Sequence, residues 1–167
     1  PQRRPRRPMN VLLGDPDKGN EPPRPDVQAL TGALEDPSSS VRESAALALA
    51  LRSSDAVVDP LLRALKDRSS QVREKAAIGL AMRQQPRVVD ALLEAAHDSD
   101  PQVREKVVIA LGLSGEGRVQ KALIAAVGDS DEQVREEAAQ ALAAFPLADA
   151  IRGGIAGALK SLGTDVR

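Results

Sequence analysis

Aspartate and arginine recur six residues apart at four places in this sequence: Asp36 and Arg42, Asp67 and Arg73, Asp98 and Arg104, Asp129 and Arg135. A carboxylate and a guanidinium at fixed spacing can form charge-assisted hydrogen bonds that orient neighbouring segments, or can present a row of cations to a ligand. Other signs of chemistry are weaker. His97 is the single histidine, it ends an apolar run, and no second ligand accompanies it. The stretch from Asp15 to Glu21 has the alternating oxygens of a calcium loop but lacks the glycine and glutamate that such a loop needs, and Pro22 and Pro23 follow. It reads as a plain turn. With no cysteine, there is no thiol nucleophile, disulfide or thiolate metal site. No Ser/His/Asp set, His-Glu-x-x-His motif or glycine-rich phosphate loop after a strand is available. The expectation is therefore no catalytic residue, no metal and no cofactor.

The elements that carry the Asp/Arg pairs are repeats. Val41, Val72, Val103 and Val134 are spaced 31 residues apart, and each is followed by the arginine and then by Glu43, Glu74, Glu105 or Glu136. Leu49, Leu80, Leu111 and Leu142 close the segments at the same step. A second set of columns precedes them, with Leu30, Leu61, Leu92 and Leu123 and then Ala33, Ala64, Ala95 and Ala126. Each unit thus holds two apolar runs at helical spacing, 27–35 and 39–51 in the first copy. Ser38, Ser69, Asp100 and Asp131 stand where the N-cap of the second helix belongs, with Pro101 at a first helical position. Polar or Gly/Pro-bearing turns such as Ser53-Ser54-Asp55 and Gly115-Glu116-Gly117 separate the units. A helix–turn–helix–turn cycle at this fixed step predicts an all-α solenoid.

The pattern of Asp, then Val-Arg-Glu, then small apolar residues and Leu resembles HEAT-like repeats, in particular the short variety of phycobilisome-lyase-type proteins and of designed consensus scaffolds. The resemblance covers roughly residues 26–159. It implies a right-handed α-α superhelix of helical hairpins with about nine helices: four full units and a terminal helix at 149–160. Gly153, Gly154 and Gly157 weaken that last helix. It also implies that the aspartates and arginines form a structural ladder between neighbouring units, and that the second helices line the concave side.

Two divisions follow: a Pro/Arg-rich arm or linker at 1–25 and the repeat domain at 26–167. The arm carries seven prolines and six basic groups against three acids, so it is +3 while the body is −4. The chain begins at Pro1, and the expectation is a piece of a larger protein. No stretch is apolar over the ~18 residues a membrane span requires.

On each second helix, Val41, Ala45, Ala48 and Leu49 and their equivalents form the stripe to be buried. Opposite it lie Leu47, Ile78 and Ile109, and beside them Leu51, Met82 and Leu113. A helix apolar on both sides is either enclosed or exposes a sticky face. If exposed, these six form one groove, rimmed by Gln71, Lys75, Gln102 and Lys106. The sequence reading is then a non-catalytic protein-interaction scaffold or regulatory module that holds a protein or peptide segment, with self-docking of the N-terminal arm through Val11, Leu12 and Leu13 as one possibility. The alternatives are a bilin-lyase-like enzyme subunit and a nucleic-acid-binding HEAT-like protein. An acidic array whose one aromatic is Phe145 suits neither a tetrapyrrole nor stacked bases, and no nucleic acid is expected.

Overall fold

The computed structural model describes residues 25–83 and 85–144. They form eight α-helices: α1 Pro25–Ala33, α2 Ser39–Ala50, α3 Val58–Ala64, α4 Ser70–Leu80, α5 Pro86–Ala95, α6 Pro101–Ser114, α7 Gln120–Ala126 and α8 Glu132–Ala144. Single 3-10 turns, Asp55–Val57 and Gly117–Val119, lead into α3 and α7. There is no strand among the described residues. The expected ninth helix, at 149–160, lies outside them, as does the arm at 1–24.

The odd-numbered helices pair with the even-numbered helix that follows each, and the even-numbered helices also pack directly on one another, α2 on α4, α4 on α6 and α6 on α8. Contacts between odd-numbered helices are far sparser. The second helices are thus the more tightly packed layer, the side on which a HEAT-like stack is expected to be concave. The molecule is an α-solenoid.

Its core follows the repeat columns. Leu49, Leu80 and Leu111 from the second helices and Leu61, Leu92 and Leu123 from the first are all fully buried. Each contributes on the order of 2–3 kcal/mol of burial. The end members Leu30 and Leu142 are only half-buried.

Two details of the expected stripe are corrected. Val41 is 41% exposed, whereas Val72, Val103 and Val134 are fully buried. Among the described second helices α2 packs on α4 alone, whereas α4 and α6 each have one on either side. In α2 the buried residues are Arg42, Ala45, Ala46 and Leu49, while Ala48 is only half-buried.

Close packing of the inner layer depends on small residues. A Cβ added at Gly79 would lie 2.8 Å from the Ala50 Cβ and the Leu61 Cδ1 and 2.9 Å from the Ala50 Cα. Backbone cannot yield as a side-chain tip can. Gly79→Ala is therefore expected to destabilise the array by roughly 1–3 kcal/mol through overpacking, despite the better helix propensity of alanine. At Gly32 in α1 an added Cβ meets nothing within 4 Å. Gly32→Ala should instead stabilise by about 0.5 kcal/mol. Chemical denaturation of the two variants reads the opposite signs. Gly115 is needed for a different reason: it ends α6 with φ of 63°, the left-handed conformation that glycine adopts without strain.

Candidate functional site

The turn inside each hairpin is built around its aspartate. The Asp36, Asp67, Asp98 and Asp129 carboxylates accept the backbone N–H groups of Ser38, Ser69, Asp100 and Asp131, all at 2.8–2.9 Å. Of the expected N-caps, Asp100 and Asp131 do accept amides from the first turn of their helices. Ser38 and Ser69 occupy the N-cap position, but their hydroxyls make no cap bond. The repeated aspartate organises those turns instead.

The arginines join the turns across units, with a pairing the sequence spacing did not reveal. Arg73 does not bond the Asp67 carboxylate six residues back. It donates two parallel bonds to Asp98, 25 residues on, at 2.6 and 2.7 Å, and a third to the Asp67 carbonyl oxygen at 2.8 Å. Arg104 repeats this on Asp129 and the Asp98 carbonyl. Arg42 repeats it on Asp67 and the Asp36 carbonyl. Both partners are largely buried; the Arg73 and Asp98 side chains are 14% and 10% exposed. Burial pushes the Asp98 carboxyl up, but the Arg73 fork and the Asp100 amide outweigh it and hold the group below the usual carboxylate range. Asp67 is balanced the same way by Arg42 and Ser69. At Asp129 the Arg104 fork is the leading cause of the lowering. Arg135 bonds the Asp129 and Ser130 carbonyls, and the residue 25 positions further on is Lys160 rather than an aspartate. Six of the eight join units, while Asp36 and Arg135 bond only within their own turns; the three arginine forks face carboxylates and carbonyls rather than open space.

Further repeated contacts were missed in the sequence. Arg87 pairs with Asp59, and Arg118 with Asp90, along the outer edge. At the opposite end of the second helices, Arg52 bonds the Ala48 carbonyl and Asp26, and Arg83 bonds the carbonyls of Gly79 and Arg52. Burial lowers the Arg83 pKa, with Asp55 opposing it. Each pair was legible as its own 31-residue step: Asp59 to Asp90, Arg87 to Arg118, Arg52 to Arg83.

The apolar row lies on the second helices and the turns that end them. Leu51 and Met82 are 79% and 78% exposed, Leu113 53%, and Leu47 and Ile78 each 41%. Ile109 is half-buried. A cleft of about 480 Å³ opens between α2 and α4, with Leu51, Ile78 and Met82 beside Arg52 and Arg83 in its walls. Gln71 and Gln102 are exposed at the far end of the same helices, while Lys75 and Lys106 are half-buried. The Lys75 ammonium sits 3.1 Å from Glu74 and 3.8 Å from Glu43, and Lys106 sits 2.5 Å from Glu105. The fourth unit breaks the row, with exposed Gln140 and Ala144 at the equivalent positions. His97 is exposed, and no group of His, Asp and Glu among the described residues could hold a metal ion.

Known structures share this architecture. Human deoxyhypusine hydroxylase, in complex with glycerol, is 28% identical with a TM-score of 0.60, over 71% of this chain and 43% of the hydroxylase chain. A chain from the complex of CpcE and CpcF of phycocyanin lyase from Nostoc sp. PCC7120 is 26% identical with a TM-score of 0.62, over 72% of this chain and 53% of that one. An engineered protein is 25% identical with a TM-score of 0.58, over 84% of this chain and 73% of its own. The present chain thus spans about half, or less, of the two natural proteins. No curated protein matches the sequence. The family model for HEAT repeats matches twice, over residues 27–112 and 89–153. These overlapping matches take in every unit that the ladder joins, and the chain belongs to the HEAT repeat family.

Proposed function

We propose that this module is a non-catalytic scaffold that holds a segment of another protein against the concave face of α2, α4 and α6. The observation that carries the reading is the exposed row of Leu47, Leu51, Ile78, Met82 and Leu113 on helices whose opposite stripe already fills the core. Water contact by a continuous apolar surface is unfavourable, and its burial by a partner releases about 25 cal/mol per Å². Stacked repeats put equivalent side chains in line, which suits an extended or helical segment. The aliphatic, amide and ammonium groups of this surface supply contact and hydrogen bonding rather than acid–base chemistry. The CpcE–CpcF structure, a complex of two proteins on a similar fold, supports a protein partner.

Affinity capture from the source lysate, run with the wild-type chain and with Ile78→Ser/Met82→Ser, tests the reading. The wild type should retain a partner that the double variant loses, at melting temperatures within a few degrees of one another. Equal capture by both, or a collapse in stability of the variant, would remove the concave row as the binding surface.

A further inference from the structure

The concave face is not uniform along its length. From α2 to α6 it is apolar, through Leu47 and Leu51, Ile78 and Met82, and Leu113. At α8 it changes character. Gln140 replaces the isoleucine, and Glu136 and Glu137 stand where the third unit has Glu105 and Lys106. Lys75 and Lys106 each sit against a glutamate of their own row, and the arginines are committed to the turns. Among the described residues neither Glu136 nor Glu137 has a cationic partner. The surface therefore asks for a segment that is aliphatic over the first three units and basic over the fourth.

One segment of this chain has that composition in that order. Reading away from α1, residues 14–24 form a spacer, Leu13, Leu12, Val11 and Met9 are aliphatic, and Arg7, Arg6, Arg4 and Arg3 are basic. Its attachment point is also at the correct end, because Pro25 opens α1 and α1 packs on α2. Reach agrees. Neighbouring helices lie about 8–10 Å apart, so α2 to α8 is roughly 30 Å. Extended chain covers about 3.3 Å per residue, so residues 3–13 span roughly 36 Å and the eleven-residue spacer adds as much again.

We infer that residues 3–13 of the N-terminal arm lie along the concave face of their own molecule, aliphatic part over α2–α6 and arginines against Glu136 and Glu137. The inference rests on the concave face being the binding surface and adds its regulation: the arm is a tethered competitor that a partner segment has to displace. Tethering sets an effective concentration in the millimolar range, so even a weak contact fills the face.

The absence of cysteine allows single nitroxide labels on the full chain. A label introduced by Asn10→Cys should broaden the methyl signals of Ile78, Met82 and Leu113. A label at Gln2→Cys should broaden Ala144 and spare Leu51. Adding Leu12→Asp/Leu13→Asp should restore the signals, as should Ile78→Ser/Met82→Ser on the groove side, with the circular dichroism of the helices unchanged. Absence of broadening from both labels, or broadening confined to the outer helices, overturns the proposal. So does broadening that appears when labelled and unlabelled copies are mixed and grows with concentration, which would make a second copy the occupant. Failure of the arm to dock leaves the capture experiment untouched, so the two readings fall separately.

Discussion

Replacing Arg73 by alanine is expected to lower stability by roughly 3 kcal/mol, because it removes one side of a largely buried ion pair and leaves the other side in place. The Asp98 carboxylate would lose both parallel bonds, and the Asp67 carbonyl would lose a donor. Solvent reaches 14% of the arginine side chain and 10% of the aspartate, so water can relieve a little of the penalty. Arg104→Ala should cost a similar amount, since its fork on Asp129 is the same one unit on. Arg135→Ala should cost about 1 kcal/mol or less, the value of ordinary hydrogen bonds to carbonyl oxygens. Denaturant midpoints measure all three, and equal losses at the three sites would remove the ladder as a stabilising device.

A pH dependence accompanies the pairing. Asp67, Asp98 and Asp129 are held below the usual carboxylate range in the folded protein, while in the unfolded chain they titrate near ~3.9. The folded state therefore binds fewer protons in that window. The stabilisation is fully present above about pH 4 and is lost as pH falls through the depressed values. Arg73→Ala should flatten this acid limb as well as lower the whole curve.

The ladder also shows where sequence stops being informative. Arg73 has an aspartate six residues before it and another 25 after, and Arg42 and Arg104 have both as well. Local spacing favours the nearer one, yet the nearer carboxylate is occupied by its own turn, at the Ser69 N–H and at Arg42. Only the stacking of one hairpin on the next brings the farther one into reach, and that geometry is a property of the assembled array. Val41 and Val72 teach the same lesson. They hold the same register position with the same residue, yet one is exposed and the other buried, and of their two helices only α4 has a described second helix on either side. The repeat columns, by contrast, were legible to the residue. Leu49, Leu80 and Leu111 occupy a position that a two-helix unit must bury whatever its neighbours are, and their period is written directly in the chain. The inner apolar row falls between these cases. Its positions follow from helical periodicity, but whether they meet solvent depended on how the second helices pack on one another, and Ile109 is more enclosed than Ile78.

Leu80 and Met82 turn this distinction into a measurement two residues wide. Leu80 is fully buried in the centre of the stack and Met82 is 78% exposed. Leu80→Ala removes three carbons from a site walled by close helices, where the cavity left behind cannot collapse freely. A loss of about 3 kcal/mol is expected from lost transfer energy and the residual cavity. Met82→Ala removes a side chain of comparable size that touches mostly water, and its effect should stay within about 0.5 kcal/mol. In binding the order reverses. Met82 lies in the wall of the cleft between α2 and α4, so its truncation should weaken capture of a partner, while Leu80→Ala at a temperature where it remains folded should leave capture near the wild-type level. Thermal melts and capture on the same two proteins give four numbers whose pattern is fixed in advance. Loss of stability at Met82, or loss of binding at a folded Leu80→Ala, would mean that the inner row belongs to the core and that recognition lies elsewhere on the solenoid.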